Sequence, residues 1–407
     1  MDAQDGHSFQ EARSARLMAV GNRINLHAAV SEDSFSEELE RIVGLAVEHL
    51  ARDRPNLVVL GEVLGLPLAL TGKRGYLSRR MHTSNVAMSM LALGYARRIF
   101  HYRRMYPDIS LVRALLLSLS DRMYRPFTTT LSQLAAKHNI YISASTIVPH
   151  VNCSTSLADV VRLGRRTESK VYLPAGPEVY NTGFLWGPDG DLIGTTDKVF
   201  LTESEQTILD LTPGDLECVQ AFETEMGKVG MAISLDAFTP EYLHKLDSLG
   251  ARIVIQNDAN DAVWAGPCKT WAWQPQEWLN SVLGSVQNDY PNLYYNVCAM
   301  QVGNFYDIPF DGQSTITMKS EYEPDPQCNF VGNEGFVHTV TGRSMTGAIL
   351  AMSPWVVEDP IRAKPGLTLE ERRTVLEQVG RQLLPGGPRA NQYCESVIWA
   401  DVEVPVP

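Results

Sequence analysis

The sequence predicts an α/β fold built on strand-helix-strand units, and three observations near its start carry that expectation. Arg16 to Val20 (RLMAV) is a short apolar run of strand character. Ser34 with Glu37 spells a capping box that opens a helix. The apolar positions that follow, Phe35, Leu39, Ile42, Val43, Ala46, Val47 and Leu50, have the spacing that covers one side of a sheet. Leu57 to Leu60 (LVVL) then reads as a second buried strand, and a strand, helix and strand in that order predict a layered domain with a right-handed crossover.

The later elements follow the same logic. From Gly72 to about Asp108 the composition shifts to Arg, Met and small residues without strand signals, which predicts a helical insertion. Helical patterning continues from Ser110 to Lys137, and Ile140 to Ile147 (IYISASTI) returns to strand. Asn181 to Trp186 and Leu192 to Thr195 are strands joined by Gly187-Pro188-Asp189-Gly190, a hairpin turn by its residue types. Further strands are expected at Lys228 to Ile233, Arg252 to Gln256, Leu293 to Ala299 and Gln313 to Met318, with helices around Tyr242 to Leu249 and Pro275 to Val286. A polar leader occupies residues 1–14 and one domain residues 15–353. The final segment, 354–407, is rich in Pro, Gly and charge up to Pro388; it is expected to wrap the surface and to end in the strand-like Ser396 to Val404.

Composition bounds the function. The chain has 407 residues, 44% hydrophobic and 20% charged, which is globular and excludes disorder, collagen and coiled coil. Lys and Arg total 35 against 47 Asp and Glu, a net charge of -12 that repels phosphate backbones and anionic lipid, so neither nucleic acid nor a membrane is an expected partner. Basic pairs at Lys73-Arg74, Arg79-Arg80, Arg97-Arg98 and Arg103-Arg104 read as solvated helix faces. The six cysteines lack the close pairs of a zinc site or redox dithiol, so no metal is expected. Met1 is followed by Asp2, Asp5 and Glu11, unlike a secretory signal, and Asn85, Ser89 and Arg97 interrupt the longest apolar stretch; a soluble, cytoplasmic chain is the expectation.

Three segments place a reactive side chain at or just past the C-terminal end of a buried strand, where open α/β folds expose ligand sites: Glu62 in NLVVLGEVLGL, Lys198 in GDLIGTTDKVFL and Ser234 in GKVGMAISLDAF. Singly each has an ordinary reading as a cap or salt-bridge partner, an edge-strand charge and a backbone-satisfied hydroxyl. Their order and flanks together resemble the nitrilase superfamily of carbon-nitrogen hydrolases, which carries a Glu-Lys-Cys triad. The fullest match is YNTGFLWGPDGDLIGTTDKVFL; GKVGMAI followed by FTPE matches almost as well. Tyr295-Asn296, Asp311-Gly312-Gln313-Ser314 and the terminal SVIWADVEV look like later signatures of the same family.

The resemblance implies a four-layer α-β-β-α sandwich of two mixed sheets, assembled as a homodimer or higher oligomer. It implies hydrolysis of a small-molecule amide, nitrile or N-carbamoyl group through an acyl-enzyme, without a cofactor, since base, nucleophile and oxyanion donors are all side chains or backbone. Glu62 would be the general base, Lys198 and the backbone N-H of Leu235 would stabilise the tetrahedral intermediate, and Glu205, seven positions after Lys198, would orient the substrate or the base network unless it is a surface helix acid. Trp264, Trp271 and Trp273, with Trp278, would line an apolar substrate pocket. Tyr180 and Asn181 read as scaffold.

Two departures from the family stand out. Gly61 precedes Glu62 where Pro is common, which is expected to alter only the local turn. Ser234 stands where the family has its cysteine, and a hydroxyl needs a stronger base than a thiol does. The sequence leaves three readings open: a cysteine replaced to trap a complex, a member that has lost catalysis, and a serine variant with compensating groups. Beside hydrolysis stand a catalytically silent binding or scaffold protein and an acyltransferase using the same acyl intermediate.

Overall fold

The computed structural model describes residues 12–24, 26–163, 168–261, 264, 274–320, 335–336, 339–340, 343–344, 346–354, 371 and 395–406. In chain order the strands of its two main sheets are β1 (Ala12–Gly21), β2 (Asn56–Val59), β3 (Tyr141–Val148), β4 (Tyr180–Trp186), β5 (Leu192–Asp197), β6 (Ala221–Thr224), β7 (Gly227–Ile233), β8 (Ile253–Asp258), β9 (Tyr295–Met300), β10 (Thr315–Met318), β11 (Gly335–Phe336), β12 (Ala348–Met352) and β13 (Ser396–Pro405). The helices are α1 (Glu32–Val47), α2 (Ser84–Met105), α3 (Leu111–Ser118), α4 (Ser120–His138), α5 (Leu157–Arg162), α6 (Glu203–Thr207), α7 (Pro240–Ser248) and α8 (Gln274–Gly284).

The first sheet runs β13-β1-β2-β3-β4-β5 and the second β11-β12-β10-β9-β8-β7-β6. Each has a parallel centre, β1-β2-β3 and β7-β8-β9, flanked by antiparallel strands, so both sheets are mixed. The period-2 alternation of the central strands builds the layers. On β1 and β2, Leu17, Ala19, Leu57 and Val59 face Val229, Met231, Ile253 and Ile255 of the second sheet. The alternate residues Met18, Val20 and Val58 face Phe35, Leu39 and Ile42 of α1 and Met123, Phe127 and Leu131 of α4. On the far side, Ala232 and Val254 pack under Tyr242, Leu243 and Leu246 of α7. The result is the α-β-β-α order.

Several boundaries differ from the sequence reading. The cap of α1 is Ser31, whose side chain accepts the Ser34 N-H at 3.0 Å; Ser34 is therefore inside the first turn instead of opening it. Ala12 to Ser14, expected as leader, belong to β1 because the closing strand offers them backbone partners from Pro405 to Glu403. The helical stretch from Ser110 is two helices, parted at Leu119, which caps one and begins the next. Residues 1–11 and, Glu371 apart, residues 355–394 of the expected wrapping tail lie outside the described residues. Among the described residues no helix is long and apolar enough to cross a membrane.

Candidate active site

Lys198 and Ser234 come directly after β5 and β7, Glu62 three residues after β2, and Asp258 ends β8. The two sheets are stitched together at these ends. The Glu62 N-H donates to the Asp258 carbonyl at 3.1 Å, the Gln301 N-H donates to the same carbonyl at 2.9 Å, and Asn257 Nδ2 donates to the Leu60 carbonyl at 2.7 Å. Gly61 belongs to this seam: a Cβ there would come within 2.7 to 3.0 Å of Gln301 atoms. Its glycine therefore lets the two strand ends approach, a larger role than the local turn expected.

Backbone strain marks the same place. Ser234 has φ 47° and Val63, next to Glu62, has φ 50°. Left-handed backbone costs a non-glycine residue on the order of 1–3 kcal/mol, and for a β-branched valine it is a genuine outlier. At Ser234 the turn joins β7 to a short 3-10 helix, Ser234–Phe238, the strand-to-helix elbow on which nucleophiles are exposed.

A buried charge cluster fills the space. Lys198 is 1% exposed, Glu62 4% and Glu205 7%. Lys198 Nζ donates to Glu62 Oε1 at 2.9 Å and to Glu205 Oε1 at 3.0 Å. Asn181 Nδ2 bridges the same two oxygens, at 2.7 Å to Glu62 and 3.0 Å to Glu205. Glu205 Oε2 turns back to cap its own helix, accepting the Thr202 N-H at 2.8 Å. Glu205 is thus no surface helix acid, and Asn181, read as scaffold, is a direct partner of both carboxylates.

Burial dominates the electrostatics. Desolvation pushes the Glu62 carboxyl up to about 8, with Glu205 and Asp258 adding repulsion and Lys198 opposing. Burial alone would lower Lys198, but the attraction of Glu62 and Glu205 overrides it and holds the ammonium charged, above its usual range. Burial also acts against ionised Glu205, yet Lys198 and its hydrogen bonds bring that carboxyl below the ordinary value.

Two aspartates that the sequence reading passed over connect Ser234 to this cluster. Asp236 accepts the N-H groups of Val199 at 3.1 Å and Phe200 at 2.8 Å, which ties the elbow to the turn after Lys198, and burial raises its carboxyl to about 7. Asp258 is pushed up by burial, while Gln256, Lys198 and the Ser234 side chain favour its charged form. Glu62 and Lys198 are therefore in direct contact, and Ser234 borders them through Asp258 and Asp236. Position alone was the available signal: Asp236 sits two residues past the nucleophile candidate, and Asp258 ends the neighbouring parallel strand. Trp264 is buried with its ring against Trp278, 5.2 Å between centroids, and its Nε1 donates to Gln313, contacts of a core residue. Trp271 and Trp273 lie outside the described residues.

A pH dependence of stability follows. The native state binds a proton at Glu62 more tightly than the unfolded chain, whose carboxyl titrates near 4.5. That stabilisation is complete below about 4.5 and is lost as pH rises through about 8; Asp236 acts with the same sign, and Glu205 with the opposite one, losing its contribution as pH falls. Urea denaturation is expected to show Glu62→Gln shrinking the loss of stability between pH 5.5 and 8.5 by a few kcal/mol, at about 1.4 kcal/mol per pKa unit. An unchanged slope would mean that Glu62 is hydrated in solution.

The sequence model described as Carbon-nitrogen hydrolase matches residues 99–332, a stretch that holds Lys198, Glu205 and Ser234 and begins after Glu62. Among solved structures, the chain is similar to Saccharomyces cerevisiae Nit3, a member of branch 10 of the nitrilase superfamily, at 17% identity and TM-score 0.46 over 88% of this chain and 97% of that one. It is similar to a carbon-nitrogen hydrolase from Helicobacter pylori G27 at 14% identity and TM-score 0.47, over 91% and 93%. It is also similar to an amidase from Nesterenkonia sp. at 14% and 0.43, over 94% and 100%. No curated protein matches the chain in sequence.

Proposed function

Since this chain belongs to the carbon-nitrogen hydrolase family, we propose that it hydrolyses a non-peptide carbon-nitrogen bond in a small amide, nitrile or N-carbamoyl compound, with Ser234 as nucleophile. The observation that carries the reading is the Lys198 ammonium sealed between Glu62 and Glu205 beside the strained Ser234 elbow. Burying ionisable groups costs stability unless each is matched, and such clusters of shifted carboxylates concentrate at reacting centres.

The steps follow from the groups present. With an amide, Ser234 Oγ attacks the carbonyl carbon as its proton passes to Glu62. Lys198 and the Leu235 N-H face the oxygen on which negative charge builds. The carbon-nitrogen bond breaks, and Glu62 returns the proton to the departing amine. Water then attacks the acyl-serine, giving a proton to Glu62, which hands it back to the serine oxygen as the acid leaves. A carboxyl near 8 suits both halves of this exchange at neutral pH. Glu205 and Asn181 hold Lys198 and Glu62 in register.

The test is a panel of amides, nitriles and N-carbamoyl amino acids, with released ammonia or amine as the assay and intact-protein mass as the readout for an acyl adduct. Turnover or an adduct that Glu62→Gln removes supports the reading. Tight ligand binding with neither turnover nor adduct favours a silent binding protein, the alternative that the hydroxyl in place of a thiol supports. An acyl group passed to an added amine instead of water identifies an acyltransferase.

A further inference from the structure

Helices α2 and α5 enclose a cavity of about 470 Å³ lined by none of the active-site candidates. One wall, from α2 and the segment before it, carries Arg74, Arg97, Arg98 and His101, and α5 adds Arg162. The other wall is apolar, made by Ala158, Val161 and Leu163. The described lining holds no carboxylate.

The sequence reading of these arginines as a solvated helix face is corrected here for Arg98. The guanidiniums of Arg74 and Arg98 both lie over the Tyr95 ring, 4.9 and 5.4 Å from its centroid, so one π-system holds two like charges together. Arg98 is half-buried; its Nη1 donates to the Ser118 carbonyl at 3.3 Å, and its Nε is buried with no hydrogen-bond partner among the described residues. Burial and repulsion from Arg74 bring its pKa down to about 10. Arg162 is partly neutralised by Asp159 at 2.8 Å, whereas Arg74, Arg97 and Arg98 have no ion pair among the described residues, and of these Arg74 and Arg98 are the two gathered on one ring.

We propose that this cavity binds a phosphomonoester, its dianionic head held by Arg74 and Arg98 and its uncharged remainder resting on Ala158, Val161 and Leu163. Planar guanidinium forks match phosphate oxygens pairwise, and a dianion relieves the repulsion between two adjacent arginines. The volume lies in the range of small-molecule sites and exceeds what a bare phosphate fills. In a chain of net charge -12, this concave cationic wall is also where the field draws a small anion. The site does not depend on the hydrolase reading.

Titration calorimetry on the full chain at about 0.15 M salt tests it, with phenyl phosphate, inorganic phosphate and phenol as probes. Phenyl phosphate is expected to bind one per chain with Kd at or below about 1 mM, at least tenfold tighter than inorganic phosphate, while phenol shows no binding. Arg98→Gln is expected to weaken phenyl phosphate at least tenfold. Arg74→Gln, at an exposed position, is expected to do the same and carries the test if Arg98→Gln does not fold. Absence of phenyl phosphate binding, equal affinity for inorganic phosphate, or affinity unchanged by both substitutions would each overturn the proposal.

Discussion

Ser234→Cys is expected to raise kcat/KM on a turned-over amide or nitrile by roughly 10²-fold or more, the scale at which a matched proton transfer acts. The reason lies in proton affinities. A free thiol titrates near 8.5, close to the value of about 8 to which burial raises Glu62. Transfer between them is nearly isoenergetic, and the Lys198 ammonium favours the thiolate. A serine hydroxyl is far less acidic, so the same carboxylate cannot take its proton without a large uphill step. The substitution changes one atom at a half-buried position, so the fold is expected to persist. The measurement is the substrate panel run on Ser234→Cys and on Ser234→Cys with Glu62→Gln. A gain that the second change removes assigns both roles; a folded Ser234→Cys chain that binds ligand and remains inert would leave the hydrolase proposal without its nucleophile.

Lys198→Met is the second large effect. It leaves Glu62 and Glu205 buried around Asn181 with no cation, and breaking a buried pair in this way costs about 3–5 kcal/mol. The loss is expected in urea denaturation at pH 8 and to be smaller at pH 5.5, where Glu62 escapes by holding its proton. Adding Glu62→Gln removes one of the stranded charges and is expected to restore part of the stability without restoring turnover. A loss below about 1 kcal/mol would show that water reaches the cluster and that the charges are not sealed.

Much of the fold was legible because burial leaves periodic traces. The alternation in β1 and β2 and the helical stripe of α1 are local consequences of lying between layers, so they read directly from residue order. The hairpin at Gly187 to Gly190 was legible for the same reason: Gly190 has φ 86°, a conformation its residue type advertises. Strand Ala348–Met352 escaped, because AILAM is a continuous apolar run with no alternation to separate a strand from a buried helical segment. The cap of α1 was misplaced by three residues because Ser31 and Ser34 offer the same chemistry, and only the backbone geometry selects one.

The sequence by itself determined that Glu62, Lys198 and Ser234 stand at or just past strand ends, and the family resemblance added Glu205, seven positions after Lys198. Which of them touch was decided only by the meeting of the two sheets. Asn181 became a bridge between carboxylates, Asp236 and Asp258 became the link to Ser234, and Arg98 left the solvent for a cavity wall. The physical reason is that burial changes the energy of a charge far more than its neighbours in the chain do, and burial is a property of the folded layers, with no period for residue order to carry.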